Sequence, residues 1–129
     1  MKQETARRFL AIFAVGMAYG SVYNPVYIRY LFYDAMLAAL ECSNSELAFL
    51  NSFGAIVGVF LGLPGGGLAD KFSAKKIVFW SVFANLPLCI LSVMFAKVYT
   101  VQLIVWFGFC LTGGFAFWPA ALKEVRLSA

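Results

Sequence analysis

The sequence predicts an all-α integral membrane protein with four transmembrane helices, and three observations carry that prediction. The 129-residue chain is 63% hydrophobic and 12% charged, with a mean hydropathy of +0.85, whereas an ordinary soluble domain is about 45–50% apolar and about 25% charged. Its apolar residues come in long blocks: Leu47 to Ala69, Ile77 to Ala96 and Val98 to Leu122 contain no Asp, Glu, Lys or Arg, and a bilayer core about 30 Å thick requires about 20 such residues per helix. The basic residues gather at alternate breaks between blocks, as the retention of Lys and Arg on the cytoplasmic side requires. A water-soluble globule is excluded.

Taken in order, the first apolar stretch runs from Phe9 to about Leu40 and is interrupted only by Arg29 and Asp34. It is too long for one upright span and too short for two, so it reads as one helix near residues 9 to 36, kinked at Pro25, with its outer end projecting past the membrane. A signal peptide is the competing reading, with Lys2 to Arg8 as its basic region, but the apolar character continues past any cleavage point. Ser43 followed by Glu46 is a capping-box pattern that starts a second helix, near 46 to 67. The third and fourth are expected near 76 to 96 and 99 to 121. Lys2, Arg7 and Arg8, then Lys71, Lys75 and Lys76, then Lys123 and Arg126 share one side, against Lys97 on the other. Both termini are therefore expected in the cytoplasm, the protein being a multi-pass plasma (inner) membrane protein. Trp80 and Trp118 fall near the same interface, where an indole is favoured.

Composition also limits the chemistry. There is no histidine, and the three cysteines stand in no metal-binding spacing, so neither a metal site nor a disulfide framework is expected. No carboxylate pair or nucleophile with a base is visible, so the chain is not read as an enzyme, and no cofactor is expected. A net charge of +4 would raise the question of nucleic acid in a soluble protein. Here the charges flank spans, and the expected partner is the lipid bilayer.

Within the spans, Gly54, Gly58, Gly62 and Gly66 recur every fourth residue, a small-residue groove that admits a neighbouring backbone, and Gly16 and Gly20 repeat the spacing on the first helix. Gly65, Gly66 and Gly67 fit no nucleotide-binding spacing. Tyr19, Tyr23, Tyr27 and Tyr30 fall within about 80° of one another on a helix and form a stripe. Asn24 adds an amide at depth, and Pro25 frees a backbone carbonyl to face a cavity. Arg29 either binds an anion through its planar fork, or snorkels to the interface, or pairs with Asp34. Tyr19, Tyr23, Asn24, Tyr27 and Arg29 are the candidate cavity residues for a small solute, phosphate- or carboxylate-bearing if Arg29 contacts it. Gln102 and Thr112 on the fourth helix are not diagnostic.

The most specific local pattern is Leu63 to Lys76, LPGGGLADKFSAKK, read as a tight polar turn between the second and third helices. Gly66, Leu68, Ala69, Asp70 and Lys71, with Lys75 and Lys76 closing the run, make the chain resemble the major facilitator superfamily of secondary transporters. Ser73 and Ala74 depart from that family's pattern. Arg29 and Met36 stand at the separation seen in its organophosphate:phosphate antiporter branch. The resemblance implies the first four of twelve helices, so that residues 1–129 are a partial N-terminal domain whose partners are the missing C-terminal helices and which does not transport alone. It also implies that the loop around Asp70 is a conformational gate in an alternating-access transporter. Two readings stand beside it: a four-helix dimeric transporter of the small multidrug type, which would need a glutamate in the first span, and a non-transporting membrane scaffold.

Overall fold

The computed structural model describes residues 2–128, with side chains from Gln3 to Leu127. Among the described residues there is no strand. Lipid offers the backbone no hydrogen-bond partner, so a spanning segment must satisfy its own N–H and C=O groups, and the helix does so locally. Helix α1 covers Lys2–Tyr27, α2 Tyr33–Leu40, α3 Asn44–Lys71, α4 Ala74–Met94, α5 Tyr99–Cys110 and α6 Trp118–Ser128. A π-helical segment, Leu111–Phe117, joins α5 to α6 in one continuous rod. Four stretches are long and apolar enough to cross a membrane: Gln3–Tyr30, Asn44–Lys71, Ala74–Met94 and Tyr99–Leu127.

Two elements depart from the sequence reading. The first helix does not continue to residue 36. It passes through Pro25, ends at Tyr27, tightens into a 3₁₀ turn at Ile28–Tyr30 and breaks before the short α2. Asp34 thereby falls in the first turn of α2, where a carboxylate suits the positive end of the helix. The second span, by contrast, continues past residue 67: α3 runs through Pro64 and all three following glycines to Lys71. The expected polar turn shrinks to Phe72 and Ser73, both extended, with the Phe72 N–H still donating to the Leu68 carbonyl.

The long final rod is the central element. A third of its most apolar window is buried (33%), against 11% for each other span. It packs on α3 along its length and also on α4 and α1, whereas α3 and α4, neighbours in sequence, barely touch. Two apolar clusters hold the bundle, one at each end. Leu40, Leu47, Leu50 and Trp106 close the end that carries Arg29; Val22, Phe117 and Ala121 lie toward the end that carries the lysines.

Each end has its own fastenings. At the arginine end the expected capping box is formed: Ser43 Oγ accepts from the Glu46 N–H at 3.2 Å, and the Ser43 N–H donates to the Glu46 carboxylate at 2.8 Å. Glu41 ends α2 with a positive φ of 50°, and Lys97 holds its carboxylate. Gln102 is buried, and its amide donates to the Ser92 and Phe95 carbonyls at 2.9 and 3.2 Å. At the lysine end, Lys123 Nζ donates to the Ala69 carbonyl at 2.6 Å, a cation at a helix C-terminus.

Candidate functional site

The middle of the bundle is built around a proline. Pro25 cannot donate to the Ser21 carbonyl, and Asn85 of α4 supplies the missing bond, its amide reaching Ser21 O at 3.1 Å and Val22 O at 3.4 Å. The freed carbonyl thus faces a side chain and not a cavity. Thr112 donates to Asn85 Oδ1 at 3.3 Å and lies equally close to the Gly108 and Phe109 carbonyls of its own rod. Next to it, Tyr23 donates to the Gly113 carbonyl at 3.1 Å, which also accepts the Trp118 N–H in the i−5 pattern of the π segment. Three helices meet in this polar node, and Asn85, only 4% exposed, is the member that sequence reasoning missed. Its one signal is a lone amide inside a charge-free run.

The tyrosine stripe exists as a ladder. Ring centroids of Tyr19 and Tyr23 lie 4.7 Å apart, Tyr23 and Tyr27 6.1 Å, and Tyr27 and Tyr30 5.9 Å. Trp118 is drawn against Tyr19 and Tyr23, at 6.0 and 6.4 Å. Tyr23, Tyr27 and Tyr30 form one wall of a cleft of about 370 Å³; Asn51, Gly54 and Gly58 of α3 form the second, and Trp106, Cys110 and Gly114 the third. Tyr19 stands outside this cleft, and Asn24 is exposed and turned away from it.

A second cleft of about 420 Å³ adjoins the first, sharing Tyr30 and Asn51, and is completed by Arg29, Tyr33, Leu47, Ala48 and Ser52. The 3₁₀ turn places Arg29 here, 7% exposed. Its Nη2 donates to Tyr30 Oη at 2.6 Å, and its Cζ lies 4.5 Å from the centroid of the Tyr30 ring. Its Nε is buried with no partner. Among the described residues Arg29 makes no ion pair, and Asp34 does not reach it. A buried cation without a counter-charge costs several kcal/mol, and among the described residues nothing offsets that cost for Arg29 beyond its contacts with Tyr30.

The glycine groove is only partly as expected. A Cβ at Gly54 would meet Cys110 and Trp106 at 3.5 and 3.8 Å, and one on Gly114 would meet the Gly58 backbone at 3.7 Å, but a Cβ at Gly58, Gly62, Gly66, Gly16 or Gly20 would meet nothing within 4 Å. A step of four residues advances about 40° around a helix, so Gly66 has turned about 120° away from Gly54. Gly65, outside the four-residue series, returns to within about 20° of Gly54. A Cβ there would land on the Phe115 carbonyl and 3.1 Å from the Pro119 ring.

At the lysine end, Asp70 is 84% exposed and 3.8 Å from Lys123, and Lys75 pairs with the largely buried Glu124 at 3.8 Å. Gly66, Leu68, Ala69, Asp70 and Lys71 are the last turns of α3, and Lys75 and Lys76 belong to the first turn of α4.

Fold and site together define a multi-pass α-helical membrane protein with four apolar helices. The chain is 24% identical over 127 residues to the inner membrane protein YqcE of Escherichia coli (strain K12), a likeness covering 98% of this chain and 30% of that protein, so the chain spans just under a third of its relative's length. No family model matches the chain, and no solved structure matches it. The resemblance to the major facilitator superfamily is corrected by these findings: no family match supports it, and the relative is a different protein, named only as an inner membrane protein. The residues that carried the resemblance have a local explanation, as the capped end of one helix and the basic start of the next. The gating role of Asp70 rests on that resemblance alone.

Proposed function

We propose that this chain belongs to an inner-membrane protein that takes a small anionic solute through the bilayer, with both termini in the cytoplasm and Arg29 as the anion contact. The observation that supports this reading is the buried Arg29 guanidinium, which among the described residues has an unpaired Nε and no carboxylate partner and opens on a cleft lined by the hydroxyl-bearing Tyr33 and Ser52 and the amide of Asn51. The adjoining tyrosine-lined cleft extends this space toward the middle of the bundle. Arginine suits phosphate or carboxylate because its planar fork donates two parallel hydrogen bonds.

The test is thermal unfolding of the purified protein in detergent against a panel of inorganic phosphate, phosphomonoesters and short carboxylates. One or more of these should raise the melting temperature of the wild type. Arg29→Lys, which keeps the charge but loses the fork, should weaken that response at least tenfold in concentration while leaving expression unchanged. A wild-type protein indifferent to the whole panel, or Arg29→Lys responding like wild type, would sink the proposal.

A further inference from the structure

Two clefts of comparable size flank α4 at the lysine end, and they differ in charge. One, of about 500 Å³, lies between α1 and α4, walled by Leu10, Ala14, Val78, Phe79 and Val82, and its mouth carries the Lys75–Glu124 pair. That mouth is neutral. The other, of about 430 Å³, lies on the opposite face of α4, walled by Phe72, Ile77, Trp80, Ala84, Leu111 and Ala116, with Lys76 at its edge. Lys76 is exposed and, among the described residues, makes no ion pair.

We infer that the cleft edged by Lys76 binds an anionic phospholipid, its phosphate on the Lys76 ammonium and an acyl chain along the groove. Lys76, Trp80 and Ala84 stand one turn apart on a single face of α4, so the groove runs about 12 Å inward from the charge. That is the layout of a lipid: a head at the interface and a chain directed into the apolar core. Trp80, 61% exposed, lies one turn below the lysine, at the level where an indole bridges headgroup and hydrocarbon. Ser81, buried at the cleft's floor, has a hydroxyl with no hydrogen-bond partner among the described residues. A free phosphate would use only the lysine and none of the apolar wall. A zwitterionic lipid would gain the wall but cancel its own charge at the lysine. The neutral cleft on the other face of α4 is the internal control.

Native mass spectrometry of the purified chain, titrated with phosphatidylglycerol or phosphatidylcholine, reads this directly. Wild type should retain phosphatidylglycerol preferentially. Lys76→Gln should weaken phosphatidylglycerol binding about fivefold, the factor that one interfacial lysine contributes toward an anionic lipid, and leave phosphatidylcholine unchanged. Lys75→Gln, whose lysine already faces Glu124, should keep the preference. The inference is overturned if Lys76→Gln keeps the preference, if Lys75→Gln removes it equally, or if inorganic phosphate displaces the lipid. Because Lys76 lies on the surface, the variant tests binding without a change in the core.

Discussion

Arg29 and Lys123, at opposite ends of the bundle, are held in opposite ways. At the lysine end, Lys123 caps the Ala69 carbonyl and Lys75 faces Glu124; at the arginine end, Arg29 is buried, hydrogen-bonded to Tyr30 and, among the described residues, without an ion pair. The difference separates charge that is offset where it stands from charge that is buried without an offsetting carboxylate among the described residues. Exposed pairs such as Asp70–Lys123 contribute about 0–1 kcal/mol, so the lysine end loses little when any one of them goes. A buried cation without its counter-charge raises the free energy of the state that holds it, and only a ligand or a neighbouring segment recovers that cost.

The contrast breaks most sharply at Arg29 itself. Arg29→Met should raise the unfolding free energy in anion-free detergent by about 1–4 kcal/mol, the range seen when buried ionic groups give way to apolar ones of similar volume. Lys123→Met should instead lower it, by about 1 kcal/mol or less. Equal signs for the two substitutions, read by denaturant or thermal melting, would erase the distinction between the ends.

The next effect concerns how tightly α3 meets the central rod on its way to the lysine end. Gly65→Val places a side chain against the Phe115 carbonyl and should cost about 1–3 kcal/mol or prevent folding, as overpacking does. Gly62→Val, facing open space, should melt within about 0.5 kcal/mol of wild type. Reversed ranks would restore the four-residue groove and displace Gly65 from the interface.

The smallest effect is a titration at the arginine end. Burial, with the Glu46 carboxylate nearby, pushes the Cys42 thiol above its ordinary value. The thiolate is the reactive form, so maleimide labelling of Cys42, with Cys89 and Cys110 replaced by alanine, should be slow at neutral pH and accelerate only above the usual thiol range. Glu46→Gln keeps a capping-box residue but removes the negative charge, which lowers the thiol's pKa and should shift the labelling profile to lower pH. An unmoved profile would show that burial alone sets it.

Much of this architecture is legible in residues 47–122, because lipid leaves the backbone one solution and charge-free runs mark where it applies. Ser43 and Glu46 announce their cap for a similar reason, since the bonds are local. The break at Ile28–Tyr30 is hidden, because the residues around Arg29 are nearly as apolar as those of the helix before it. Asn85 is hidden because its partner is a carbonyl freed by Pro25, on another helix. The glycine series misled for a geometric reason: a repeat of four looks like one face on paper but winds around a helix of 3.6 residues per turn. Arg29 could be singled out by its charge, but not its lack of a counter-charge among the described residues, which depends on where Asp34 falls after the break.

The π segment Leu111–Phe117 has a consequence for how this chain tolerates changes in length. A stretch bonded i to i−5 accommodates one residue more than an α-helix would between the same flanks. Removing a single residue from the packed turns of α5 would rotate everything beyond it by about 100° and tear α6 from its neighbours. Removing one within Leu111–Phe117 would let the segment relax to an α-helix and leave Val105, Trp106 and Ala121 on the faces they now occupy. What would be lost is the Gly113 carbonyl's second partner, Tyr23. The segment is thus a place inside the rod where a codon can be deleted with the flanking faces kept in register, and where such a deletion would be felt first by the tyrosine cleft.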